Sequence, residues 1–344
     1  SAPLDASDSG SRDVYVRASG VNLGAAPDIM RNVDDYYRTS TNGAIGFRLA
    51  SISGFVRTSD SCSLTDLRAQ ALAGFSLPDD AHLAVWAPDC GTTEAMGKGE
   101  LGGRVVWIFN GSEDVLIWAH ELGLNLGLHH ASVADCEGGP ITDCPSSASQ
   151  TSYGEYGGPD VMGSWRMLPL DPVHLQALGL WETESTQIMD NPPRERVEVE
   201  INDYSSSSSQ RAVELTWGEA PVFLIYDNVQ RGLLLVHGLA DDRIRSITQE
   251  PFYLPKGASY TGDLGVYVRL KKIVDDTATI EVSSSPLTID VPETVGCTSD
   301  LTNPARCIWP GAGAALDGYV IETRTAGSEW TEVRSVPAAH SRTS

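Results

Sequence analysis

The chain has 344 residues, of which 24 are basic and 46 acidic, giving a formal net charge of −22. This charge argues against binding to nucleic acid or to an anionic membrane surface, because both repel an acidic protein. No apolar run approaches the roughly 20 residues of a membrane-spanning helix, so no membrane insertion is expected. The chain is too long for one ordinary core, and two domains are expected.

The first part of the chain alternates between predicted strands and helices. Pro27 is placed to open one helix, and Ser63 or Thr65 is placed to cap another. Alternating or short apolar runs predict strands over residues 13–18, 45–49, 52–56, 83–86 and 105–109. Helices and strands are therefore mixed in this region.

The next helix carries the run HELGLNLGLHH, from His120 to His130. Its N-cap is expected at Ser112, and apolar residues on nearly all its faces predict burial. Residues four apart on a helix share a face, so positions 120 and 124 point the same way. His120 and Glu121 need partners in a buried helix, because an unpartnered buried polar group costs a few kcal/mol.

The spacing in this run is that of a metal site with one place altered. The pattern H-E-x-x-H-x-x-G-x-x-H is matched at His120, Glu121, Gly127 and His130. Leu124 stands where the second histidine belongs. Two imidazoles four residues apart can hold one metal ion, and the neighbouring glutamate can take a proton from a metal-bound water. Gly127 lets the chain leave the helix sharply, which would return His130 as a third ligand.

This run resembles the active-site helix of the metzincin metalloproteases, and among them the gametolysin-like family. The run YGEYGGPDVMGSW over residues 153–165 resembles the Met-turn of that family and would place Met162 beneath the metal. The resemblance covers roughly the first half of the chain. It implies an α+β fold with a zincin/metzincin catalytic domain. The strand near 105–109 would then be the edge along which an extended peptide lies.

The resemblance also implies the roles of the site residues. Zinc would be bound by His120, by a histidine at position 124 and by His130, and Glu121 would accept a proton from the zinc-bound water. The isobutyl group of Leu124 has no lone pair, so we expect zinc to be bound weakly or not at all. The acidic composition leaves calcium binding open, but no D-x-[DN]-x-[DN]-G loop supports it.

Residues from about 186 onward change character. Short strand-like runs separated by turn residues predict a β-sandwich-like domain, for which a packing role is the simplest function. Asp171 and Pro172 are expected to start the last helix before it. The predicted domains are a metzincin-like catalytic domain over 1–185, a β-rich domain over 186–286 and a tail over 287–344 that weakly resembles a truncated fibronectin-like module.

The six cysteines have local spacings that predict three disulfides and hence an extracellular protein. Buried free thiols are the alternative. Without a C-x-x-C pair, a cysteine zinc site is not expected. The predicted pairs are Cys62–Cys90, Cys136–Cys144 and Cys297–Cys307.

The function predicted from these features is that of a secreted zinc-dependent endopeptidase acting on extracellular or cell-wall proteins, inactive as written because of Leu124. Its partner would be a protein or peptide substrate, and the oligomeric state stays open. One alternative is a natural pseudoprotease that binds peptides or a partner. Another is that Leu124 was introduced to silence an active enzyme. The other histidines are interpreted as structural or neighbouring residues: His82, His129, His174, His237 and His340.

Overall fold

In a computed structural model, the chain folds into two compact units. The first takes its residues from 1–133, 153–182 and 236–248, and the second from 134–152, 183–235 and 249–344. The single boundary placed after residue 185 stays a prediction. The structure describes residues 10–21, 23–90, 96–110, 113–134, 153–155, 159–163, 167–181, 186–190, 193, 196–206, 210–216, 221–238, 246–249, 254–261, 266–284, 296–300, 303–308, 318–323 and 331–337.

The first unit contains a five-stranded sheet. Its strands are β1 (Gly10–Ala18), β2 (Ile45–Gly54), β3 (His82–Trp86), β4 (Gly97–Gly99) and β5 (Val105–Ile108). They lie in the order β2-β1-β3-β5-β4. All neighbours are parallel except β4 and β5, which are antiparallel. The edge strand beside β5 is therefore β4.

Two sequence predictions for this sheet are wrong. The two strands predicted over 45–49 and 52–56 are one strand, β2, which ends at Gly54 and whose pairing with β1 shifts register part-way along. The run near 105–109, expected at the edge, forms the interior strand β5, flanked by β3 and β4. All four residues of β5 are buried, as is typical of a strand covered on both faces. The true edge, Gly97-Lys98-Gly99, has almost no strand propensity of its own.

Four α-helices accompany this sheet in the described part of the chain. Pro27 lies in the first turn of α1, and the Ser63 side chain caps α2, as predicted. Asp171 caps α4 by accepting a hydrogen bond from the His174 amide. The helices are α1 (Ala26–Ser40), α2 (Leu64–Ala71), α3 (Val115–Asn125) and α4 (Pro172–Ala177). Short strands β6 (Ser132–Ala134) and β7 (Tyr153–Glu155) complete this part of the chain.

The side chains of the sheet alternate between two apolar cores. On one face, Trp86 and Ile108 pack with α1 and α3. On the other face, Val85 and Trp107 pack with α2. The period-2 alternation of the strands thus places one layer of helices on each side of the sheet.

The second unit is built from two sheets that share one apolar core. Within this unit, the first sheet contains β8 (Thr186–Met189), β10 (Ala212–Leu215), β11 (Val222–Asp227), β14 (Leu254–Pro255) and the first four residues of β12 (Gly232–Gly238). The second contains β9 (Val197–Asn202), β15 (Ser259–Thr261), β16 (Val266–Val274) and β17 (Thr277–Ser284). Inward-facing Val, Leu and Ile side chains of both sheets meet, which is sandwich packing.

The remaining strands are β13 (Ser246–Gln249), β18 (Gly296–Asp300), β19 (Asn303–Ile308), β20 (Gly318–Thr323) and β21 (Thr331–Pro337). β18 pairs with β19, and β20 pairs with β21. The mixture of helices and several sheets confirms the predicted α+β class. Among the described residues, no helix is long and apolar enough to cross a membrane.

One predicted disulfide, Cys62–Cys90, is present. Cys297 and Cys307 stand directly opposite each other in the register of β18 and β19, and their bond stays a prediction. Cys136 and Cys144 lie outside the described residues.

Candidate functional site

The candidate site is built on α3, whose start differs from the prediction. The cap is Asp114, because its carboxylate accepts a hydrogen bond of 3.0 Å from the Leu116 amide. The expected N-cap at Ser112 is therefore wrong, and the helix begins at Val115. A carboxylate suits this place, since it satisfies an otherwise unpaired amide and its charge favours the positive end of the helix dipole.

The end of α3 turns the chain back towards the helix. Gly127 has a φ of +87°, a conformation that glycine adopts without the Cβ penalty. The Gly127 amide donates to the Leu124 carbonyl at 2.9 Å, and the Leu128 amide donates to the Gly123 carbonyl at 3.1 Å. These two bonds form a Schellman motif. The sharp exit from the helix expected at Gly127 is thus present, and it leads directly to His130.

The turn brings the rings of His120 and His130 together. Their centroids lie 4.9 Å apart, with the planes inclined by 32°. The Nδ1 of His120 lies 2.8 Å from the carbonyl oxygen of Val161, which can only accept, so Nδ1 carries the hydrogen. This bond places the lone pair of the neutral ring on Nε2, as in many metal-ligating histidines.

Both rings are in the neutral form that binds metals. Burial is the main cause lowering the pKa of His120. Burial, followed by the neighbouring His120, lowers the pKa of His130 to about 4. Neither ring is therefore charged near neutral pH.

Leu124 lies one helical turn after His120 and turns towards the edge strand. It is partly buried against the core of the first unit. A Cβ atom added to Gly99 would lie 3.0 Å from the Leu124 Cβ and 3.2 Å from its Cδ1. The leucine thus fills the space between α3 and β4 with carbon, where a histidine would complete the ligand pattern.

No third ligand replaces the missing histidine in the described part of the chain. There, the one group of three His, Cys, Asp or Glu side chains whose ligand atoms come within 4.8 Å of one another is Asp160, Asp171 and His174. His120 and His130 are not joined by a third such side chain. Catalytic zinc usually has three protein ligands, so the residues present do not fit a catalytic zinc ion.

Glu121 is buried beside the same edge strand. The described residues give its Oε2 no hydrogen-bond partner. Burial raises its pKa to about 8, although the charge of Lys98 acts in the opposite direction. A Cβ atom on Gly97 would lie 2.5 Å from the Glu121 Oε1, so the glycine leaves room for the carboxyl group beside β4.

Met162 packs under the helix within a 3₁₀ turn, Val161–Gly163. Its side chain is fully buried. A Cβ atom on Gly123 would lie 2.5 Å from the Met162 sulfur, so Gly123 provides the room for this side chain against α3. The same turn supplies the Val161 carbonyl that fixes His120. Met162 thus packs against α3 at Gly123.

The sequence patterns did not single out several residues that shape this site. The glycines Gly97, Gly99 and Gly123 set how closely β4 and the Met-turn approach α3. Asp160 had a recognisable signal, since it precedes the Met-turn in the run PDVMG. His174 had no signal beyond its place in the last helix.

Comparisons with known proteins add little to this description. No protein-family model and no curated protein matches the chain. Among solved structures, archaemetzincin from Methanopyrus kandleri is similar at a TM-score of 0.31 and 14% identity, over 49% of this chain and 94% of that chain. A chain from the structure of a chaperone-substrate complex also scores 0.31, at 12% identity, over 50% of this chain and 35% of that chain. These scores are too low to establish a common fold, so the function is argued from the site itself.

Proposed function

We propose that the chain is a metalloendopeptidase scaffold of the metzincin type whose zinc site is incomplete because Leu124 occupies a ligand position. The observation that supports this is the 4.9 Å pairing of the His120 and His130 rings across the turn at Gly127. That pairing needs both the helix and its sharp exit. An incidental histidine in a buried helix explains neither the second ring nor the turn that delivers it.

Zinc in a complete site of this class would polarise the scissile carbonyl of a peptide. This chain offers two imidazoles with suitable protonation, which is one ligand fewer than catalytic zinc usually has. We therefore expect weak zinc binding or none, and no appreciable peptidase activity, for the chain with Leu124.

A peptide substrate would bind along β4. β4 stands at the end of the sheet order, next to α3. An extended peptide can add to such an edge through main-chain hydrogen bonds, and the glycines of β4 bring its backbone close to Glu121. Glu121 follows His120 on the helix, and its carboxyl group meets Gly97 of the edge strand. It is the candidate proton acceptor of a complete site, where the charge of a bound metal ion would lower its pKa and favour the carboxylate.

The proposed substrates are extracellular or cell-wall proteins, and the proposed location is outside the cell. The Cys62–Cys90 disulfide supports this, because such bonds persist mainly in oxidising compartments. The net charge of −22 disfavours nucleic acid as a partner.

The decisive experiment restores the missing ligand. Leu124→His is expected to bind about one zinc ion per chain and to cleave a casein-type substrate, and a further Glu121→Ala change should abolish cleavage while leaving the metal. Leu124→Gln is the matched control, because it introduces a polar side chain of similar length without an imidazole. Zinc content by elemental analysis and casein hydrolysis are measured for all four proteins, including the parent.

The outcomes separate the hypotheses. Strong zinc-dependent cleavage by the parent chain would show that position 124 is not a ligand position. Zinc binding without cleavage by Leu124→His would favour the pseudoprotease alternative. Equal zinc content and equal casein hydrolysis for Leu124→His and Leu124→Gln would show that an imidazole at position 124 does not complete a metal site.

A further inference from the structure

A second cluster of ionisable side chains lies behind the Met-turn and is fully buried. Asp160, Asp171 and His174 each have 0% exposure. The His174 Nδ1 lies 2.7 Å from the Asp160 Oδ2 and 3.5 Å from the Asp171 Oδ2. Its other ring nitrogen, Nε2, lies 3.0 Å from the carbonyl oxygen of His129. The ring is thus held at both nitrogens.

The partners of the ring determine its protonation. A carboxylate and a carbonyl oxygen both accept hydrogen bonds, so each ring nitrogen of His174 must carry a hydrogen. The ring is therefore an imidazolium. Burial by itself lowers the pKa of His174, but the charges of Asp160 and Asp171 raise it more, to about 9.

This protonation state decides between two interpretations of the cluster. The three side chains have the composition and spacing of a metal site. A doubly protonated ring has no lone pair for a metal, however, and Asp160 already accepts three hydrogen bonds. Its Oδ1 accepts from the Met162 amide at 2.9 Å, and its Oδ2 accepts from the Asp171 amide at 2.8 Å and from His174. The cluster is a charge-assisted hydrogen-bond network.

The network ties the segment around His130 to the Met-turn. On one side of His130, the His129 carbonyl accepts from His174, which is itself bonded to Asp160. On the other side, the Ala131 amide donates to the Met162 carbonyl at 3.1 Å. Hydrogen bonds to the backbone on both sides of His130, one from the His174 side chain and one to the Met162 carbonyl, thus lead to the same turn.

We propose that His174 is a positioning residue for His130: held between Asp160 and the His129 carbonyl, it fixes the backbone that carries His130 against the Met-turn and so sets the distance to His120. The Met-turn also holds His120 through the Val161 carbonyl. Both paired histidines are therefore held by the same turn, Val161–Gly163. Where metal binding is concerned, the inference rests on the proposed function, but the positioning itself does not.

The first test uses the chain as it is, with ring-¹⁵N-labelled histidine and NMR at pH 7. His174 should show two protonated ring nitrogens and two slowly exchanging ring N–H protons. A neutral single tautomer would overturn the proposal. This measurement needs no substitution, so it decides even where a variant fails to fold.

The second test compares His174→Gln with a matched control, His82→Gln. His82 is also a buried histidine of the first unit, with its Nδ1 3.0 Å from the side-chain oxygen of Asn125. His174→Gln should shift the ring signals of His120 and His130, whereas His82→Gln should leave them in place. Equal shifts in both variants, or none with His174→Gln, would reduce His174 to a structural residue and overturn the proposal.

The third test adds a metal in the Leu124→His background, with Co²⁺ as the probe. His174→Gln should weaken Co²⁺ binding by about 10-fold to 100-fold, the usual effect of removing a residue that orients a ligand, and His82→Gln should not. Unchanged Co²⁺ affinity with His174→Gln would overturn the proposal. If Leu124→His binds no Co²⁺ at all, the proposed function fails, while the two NMR tests still decide the role of His174.

Discussion

The burial of Glu121 leads to a prediction about stability, which can be tested without substrate or metal. Its side chain is buried, and its pKa is raised from 4.5 to about 8. Between these two values the folded protein holds a proton that the unfolded chain has lost. The free energy of unfolding must therefore fall as the pH rises from about 4.5 towards 8, because the folded state binds more protons than the unfolded state.

The size of the effect follows from the shift. Each pH unit in that window removes about 1.4 kcal/mol, so at pH 7 the ionisable side chain costs roughly 3 kcal/mol relative to its neutral form. Glu121→Gln removes the ionisation and keeps the shape. We expect this change to be about 3 kcal/mol more favourable at pH 7 than at pH 4.5, where the ionisation of glutamate in the unfolded chain has only begun. Any unsatisfied polar atom of the amide is common to both pH values and cancels in the difference.

The assay is urea unfolding of the parent and Glu121→Gln at pH 4.5 and pH 7. Glu113→Gln is the matched control, because Glu113 is exposed just before the same helix. Its removal should change stability by less than about 1 kcal/mol at either pH. A Glu121→Gln effect that is the same at both pH values would refute the burial argument, as would a loss of stability confined to pH 7.

Two further predictions concern packing and covalent structure. Gly99→Ala should lower the free energy of unfolding by about 1–3 kcal/mol, because its Cβ would lie 2.5 Å from the Glu121 carbonyl oxygen, and urea unfolding measures this. The control Gly54→Ala should have little effect, since its Cβ would meet its nearest atom at 3.7 Å, and equal losses would contradict the argument. Non-reducing peptide mapping should also find the three predicted disulfides, and a Cys90–Cys136 peptide would break that pairing. The expected pairs are Cys62–Cys90, Cys136–Cys144 and Cys297–Cys307.

Much of the first unit could be predicted because its signals are local. Val14 and Val16 alternate along β1, and the caps at Ser63 and Asp171 are side chains that bond to nearby amides. Such features depend on a few neighbouring residues. The edge strand β4 escaped prediction because Gly-Lys-Gly has no apolar alternation, and its place depends on α3 packing against it.

The contacts of the candidate site also divide into those that local sequence predicts and those that it does not. The pairing of His120 with His130 could be expected, since a helical repeat and one glycine turn determine it. The hydrogen bond from His174 to the His129 carbonyl could not be predicted, because it requires α4 to bring His174 next to Asp160. His174 lies 14 residues from Asp160 and 45 residues from His129, whose carbonyl it contacts. No local pattern encodes a tertiary contact of this kind.

Leu124 shows why fold and activity should separate in this chain. The backbone bonds of the Schellman motif use the Leu124 carbonyl, which is the same for any residue at this position. Leucine is a good helix former, and here its partly buried side chain packs against the core. Contacts within the protein hold both histidines, since the Val161 carbonyl orients His120 and the His174 network holds the backbone beside His130. The surrounding structure is thus formed before a third ligand is present, so restoring one imidazole at position 124 should require little rearrangement beyond the leucine's own contacts with β4.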